Sequence, residues 1–150
     1  MIRRKLSREV IEKQEFQIWN SFVDLLALEI EQNLSEIQKH AQRAFWYESE
    51  IQNGGHLQYF ENQRKKDYSE VIDSLNYIGA EKHALLLNKA SEKLFGKSRK
   101  PIKDIDEYIE RAKEGEFDSF DSEYHDIQPD MNYYLNEYLK KHQEEFIEIE

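Results

Sequence analysis

Five histidines, His40, His56, His83, His125 and His142, are the side chains of this sequence best suited to metal or proton chemistry. A zinc protease needs two histidines one helical turn apart with a glutamate between them, so that both imidazoles reach one ion. No pair here has that arrangement. Di-iron bundles use Glu-x-x-His from facing helices; Glu36 and His40 lie four apart, and no Glu-x-x-His occurs. Cysteine is absent, which removes disulfides, thiolate metal sites and cysteine nucleophiles. There is no Gly-x-Ser-x-Gly elbow, no Gly-x-x-x-x-Gly-Lys-Ser/Thr phosphate loop and no Gly-x-Gly-x-x-Gly fingerprint. Glycoside chemistry asks for two carboxylates across a cleft, but among 31 acidic residues some pair always fits, so that signal is empty. Gly54-Gly55 ahead of a helix start could receive an anion; no nearby lysine completes a cradle, and a plain turn is the simpler reading. The expectation is a protein with no catalytic residues, no metal and no cofactor.

The elements that would position any site read as helices. Only 5 glycines and 2 prolines interrupt the chain, and no period-2 strand with a hairpin turn stands out. A first helix is expected from Ser7 to about Gln32, with Trp19, Phe22, Val23, Leu26 and Ile30 on one face. A second opens at Ser35, where Gln38 completes a capping box, and ends at Asn53-Gly54-Gly55. His56 to Asn62 suits a short helix or turn. Further helices are expected at about Asp67–Ile78 and Ala80–Phe95, then from Asp104 to Gly115 with Ile105, Tyr108, Ile109 and Ala112 turned inward. Phe117 to Gln128 looks irregular and acidic, and Pro129 introduces a last helix with Met131, Tyr134, Leu135, Tyr138 and Leu139 on its apolar side. The expected fold is all-α: one domain over residues 1–150, a compact bundle of about six helices, with 150 residues enough for a real core.

Charge is uneven. The net is −10, and residues 101–150 carry 16 acidic and 5 basic side chains, a local balance of −11. Nucleic-acid binding needs the opposite sign, so direct DNA binding and anionic membranes are both disfavoured as partners. A basic partner fits, although acidity also serves plain solubility. The basic start, Met1-Ile2-Arg3-Arg4-Lys5, lacks the apolar stretch of a signal peptide, no run is apolar enough to span a membrane, and the lack of cysteine suits a reducing cytoplasm.

One segment is distinctive: Trp46-Tyr47-Glu48-Ser49-Glu50-Ile51-Gln52-Asn53-Gly54-Gly55-His56-Leu57-Gln58-Tyr59-Phe60-Glu61-Asn62. Read physically, Asn53 caps a helix end, two glycines redirect the chain, and the flanking aromatics pack round the corner. The segment also resembles the hallmark of the DNA-mimic protein family, through Glu50, Asn53, Gly54, Gly55, Gln58, Tyr59, Phe60 and Asn62. Leu75, Ile78, Gly79 and Ala80 are similar to its second signature, and Asp121 and Tyr124 weakly to a third. The similarity spans about residues 40–140, behind a long N-terminal helix. His56 departs from it, standing where the family usually has an aromatic.

The resemblance implies an all-helical fold and a role as a duplex-DNA mimic, whose surface carboxylates stand in for phosphates and block a basic DNA-binding protein. The motif itself implies the fold; the mimicry would rest on surface acids. A helix rises roughly 1.5 Å per residue, so acids three or four apart form a row. Glu107, Glu110 and Glu114 make such a row, and Asp118, Asp121, Glu123 and Asp126 extend it. Glu144, Glu145, Glu148 and Glu150 add a patch at the end of the chain. A competing reading is an acidic inhibitor or immunity-type protein that grips a toxin or enzyme through an apolar anchor, with Tyr133, Tyr134 and Tyr138 as candidates. A homodimer, which would double the acidic surface, is compatible with either.

Overall fold

The computed structural model describes residues 1–150. Its helices are α1 (Arg8–Lys13), α2 (Phe16–Leu28), α3 (Glu36–Asn62), α4 (Ser69–Tyr77), α5 (Glu81–Phe95), α6 (Ile105–Lys113), α7 (Asp118–Asp126) and α8 (Met131–Phe146). Short polar side chains start four of them by accepting a free backbone N–H of the first turn. Ser7 accepts from Val10, Asp104 from Glu107 and Asp130 from Tyr133. Ser35 and Gln38 complete a reciprocal capping box. No helix is long and apolar enough to cross a membrane.

Helix α3 is the axis of the fold. It packs against α2, α4, α7 and α8, and a single cluster of 27 buried apolar residues surrounds it. Phe22 of α2 meets Phe146 of α8 edge-on, with ring centroids 4.8 Å apart, a favoured aromatic geometry. Leu75, Ile78 and Ala80, the second signature, are buried at the corner between α4 and α5.

The all-α class agrees with expectation, but there are eight helices where about six were expected. The first expected helix is two: Gln14 leaves helical geometry (φ −141°, ψ 67°) and separates α1 from α2. After Leu28 the chain is extended at Glu29, and a 3₁₀ turn, Glu31–Asn33, follows. Ile30, expected on the buried face, is exposed, whereas Leu25 is buried. Nor does α3 stop at Asn53-Gly54-Gly55. It kinks at Gly55 and continues to Asn62, so Asn53 caps no helix end. The stretch expected to be irregular contains α7. Phe117, Phe120, Tyr124 and Ile127 carry helical spacing there, which the density of acids masked.

Two further corrections bear on function. Helix α6 buries no residue: Ile105 and Ile109, expected inward, are exposed, while Tyr108 and Ala112 turn toward α3 and line a small cavity with Gly54, Leu57 and Phe117. The chain ends also pair as a small parallel sheet, β1 (Arg4–Leu6) with β2 (Ile147–Ile149). No hairpin signal marks it, because its strands come from opposite ends of the chain. The sheet gives the basic N-terminus its role. Arg3 lies 3.5 Å from Glu148 and Lys5 3.8 Å from Glu150. Arg4 holds Asp24 at 2.6 Å and Glu29 at 2.9 Å. The C-terminal acids are therefore partly neutralised within the fold.

Candidate partner-binding surface

The site is built outward from the kink. Gly55 has φ 80° and ψ −171°, a region open essentially to glycine alone. A Cβ at Gly55 would also lie 2.4 Å from Asp121 Oδ2. Around the bend, Glu50 is buried and its Oε2 accepts from Gln58 Nε2 and Asn62 Nδ2, both at 2.9 Å. These bonds tie the helix before the kink to the helix after it. Tyr59 and Phe60 are buried, while Asn53 and Gly54 are exposed on the outer side. The motif segment is thus the hinge-pin of the fold.

His56 sits at the centre, 0 % exposed. Its Nε2 lies 2.7 Å from the Tyr47 hydroxyl, and its Nδ1 lies 2.7 Å from Asp121 Oδ1. The same carboxylate oxygen accepts the His56 backbone N–H at 2.8 Å. The Tyr47–His56–Asp121 chain satisfies three polar groups that burial would otherwise penalise. Burial also pushes the Tyr47 hydroxyl pKa well above its ordinary value, so it stays protonated. Sequence reasoning missed this network. Tyr47 and His56 are nine residues apart, and only the bend at Gly55 brings them together.

The network fixes α7, whose inner face carries Phe117, Asp121 and Tyr124 at helical spacing. Tyr124 is buried, crosses Tyr47 edge-on at 5.3 Å and donates to Glu48 Oε2 at 2.8 Å. Asp118, Glu123 and Asp126 consequently point outward and are exposed. Asp121 is different: expected in the acidic row, it is turned in against His56. At Gly115 (φ 66°) a tight turn connects α6 to α7. Glu107, Glu110 and Glu114 lie exposed on α6. Glu107 Oε2 accepts the Lys103 backbone N–H at 2.7 Å, and Glu110 pairs with Lys113 at 3.2 Å. Of the six outward acids, Glu110 is the one in an ion pair. Glu116, between the helices, is clamped by Arg99 and Lys97 and so is less available.

Of the tyrosines considered as anchors, Tyr138 belongs to the core, its hydroxyl donating to the Ile37 carbonyl at 2.7 Å. Tyr134 is partly buried, and Tyr133 is 49 % exposed.

Fold and surface together define an all-helical domain, built on a kinked central helix, that presents an acidic pair of helices. A family model described as DMP19-like protein matches residues 32–142, and the chain belongs to that family. The matched span runs from the turn before α3 into α8. No curated protein and no solved structure matches the chain.

Proposed function

We propose that this protein is a non-catalytic binding module whose α6–α7 acids imitate the phosphates of duplex DNA and occupy the DNA-binding surface of a basic protein. The observation that carries the reading is the outward set Glu107, Glu110, Glu114, Asp118, Glu123 and Asp126, in a family whose resemblance implies DNA mimicry. Their number matters. Acids three or four apart on one helix give a charge every ~4.5–6 Å, sparser than one DNA strand with a charge per ~3.4 Å of axis. One helix alone falls short of a strand; α6 and α7 together come closer. Asp121 is not part of this surface, since its carboxylate is engaged with His56.

The mechanism is exchange. A basic surface binds DNA by releasing counterions from phosphates; fixed carboxylates offer the same attraction without a duplex. Binding should weaken steeply with salt. The test is capture from lysate at low salt followed by elution with duplex DNA. A DNA-binding protein displaced by DNA supports the reading. A partner that withstands both salt and DNA contradicts it and favours an inhibitor gripping through an apolar anchor.

A further inference from the structure

We infer that the loop between α5 and α6 is a built-in counter-cation of the α6 acid row: Lys100 and Lys103 hold part of that row's field in check, so that neutralising them strengthens the grip on a basic partner. The inference rests on the reading of the acidic face as a partner surface and concerns its regulation. From Lys93 to Lys103 the chain carries Lys93, Lys97, Arg99, Lys100 and Lys103 and no acid. The next stretch is the reverse: residues 104–126 carry ten acidic and two basic side chains. Contacts within the fold fix the loop against α6. Arg99 pairs with Glu116 and donates to the Leu94 carbonyl at 3.0 Å. Arg111 of α6 donates to the Lys100 carbonyl at 2.9 Å, and the Lys103 backbone N–H donates to Glu107 Oε2 at 2.7 Å.

The cations of this loop divide into two sets. Lys97 and Arg99 are taken up by Glu116. Lys100 and Lys103 are exposed and make no ion pair. They line, with Arg111, the same groove of about 600 Å³ as Glu107, Glu110 and Glu114. Held near the acids but unpaired, the two ammonium groups act through solvent, where each interaction is weak and salt screens it. A partner's lysine or arginine that enters the groove meets the acids together with cations of its own sign. Duplex DNA sets no fixed cation beside its phosphates. The loop therefore lowers the local charge of the row relative to DNA, and removing the charge of Lys100 and Lys103 restores it.

The probe is a labelled oligoarginine peptide, titrated with the full chain by fluorescence anisotropy at low and at raised salt. Lys100→Gln/Lys103→Gln should bind it about fivefold more tightly than wild type at low salt. The gain should shrink as salt rises, with the melting temperature unchanged. Lys13→Gln/Lys141→Gln removes the same charge from exposed positions on α1 and α8 and should raise the affinity clearly less. Glu107→Gln/Glu110→Gln/Glu114→Gln should weaken binding and, added to the lysine changes, erase most of their gain. A gain no larger than that of the control pair shows net charge acting at large and overturns the counter-cation. A loss of affinity overturns it too, because Lys100 and Lys103 are then contacts for the peptide. Both results leave the acidic reading standing if the glutamines still weaken binding. No effect of the glutamines overturns the acidic reading, and the role of the loop with it.

Discussion

At the scale of single residues, the fold turns on Gly55 and the side chains it admits. Gly55→Val places a side chain in glycine-only backbone space, a cost of about 1–3 kcal/mol. It also drives Asp121 off His56, whose freed polar groups add about 1–3 kcal/mol. Urea denaturation should therefore show a loss of about 3 kcal/mol or more. Gly54→Ala is the milder control. There the backbone is helical and the obstruction is the Gln58 side chain, which must swing away and give up its bond to Glu50, so the loss should be about 1–2 kcal/mol. Equal effects at the two positions would contradict the account of the kink. His83 supplies a pH signature. It is 1 % exposed with Nδ1 unpartnered, and burial pushes its pKa down to about 4 from the ordinary 6.5. Between those values the unfolded chain binds the extra proton, so stability should fall as pH drops from about 6.5 to about 4. The contribution is on the order of 1–3 kcal/mol. In His83→Leu the acid-side decline should be shallower, as read from melting temperatures across that range; an unchanged slope would remove His83 as its source.

At the scale of elements, α6 and α3 are opposites. Helix α3 holds eleven buried residues and α6 none. Amide hydrogen exchange should consequently be fastest in α6 among the helices of nine or more residues, and slowest in α3. Because the α6 acids face solvent, Glu107→Gln/Glu110→Gln/Glu114→Gln should leave the melting temperature within a few degrees of wild type, a change below about 1 kcal/mol. Unfolding of that variant would show the row to be structural. The same contrast explains what could be read from residues alone. The caps at Ser7, Ser35 and Asp104 were legible because each is a local contact within one turn. The apolar side of α8 was legible because its period is intact. The α1–α2 break was not, since no glycine or proline marks Gln14. Nor was α6's outward apolar strip: periodicity tells which residues share a face, but not whether anything covers it. In the site, the row Glu107, Glu110, Glu114 followed from spacing, whereas the inward turn of Asp121 depended on His56 arriving across the bend, a contact 65 residues away in sequence.

At the scale of the whole molecule, charge is sorted. The basic N-terminus is matched to the acidic C-terminus through the β1–β2 sheet, while α6 and α7 keep acids turned to solvent. A net charge of −10 therefore acts less as a uniform coat than as a directed field. Sorting of this kind favours one face for association, and that preference can be located directly. A photo-crosslinking side chain is placed at Glu110, at Glu123 or, as a control on α2, at exposed Asn20. Lysate is added at low salt, with and without duplex DNA, and the joined peptides are identified by mass spectrometry. Crosslinks from positions 110 and 123 into the DNA-binding surface of a basic protein, suppressed by duplex DNA and absent from position 20, are the predicted result. Crosslinks that form equally from position 20, or that duplex DNA leaves untouched, would contradict the claim that the α6–α7 face takes the place of DNA.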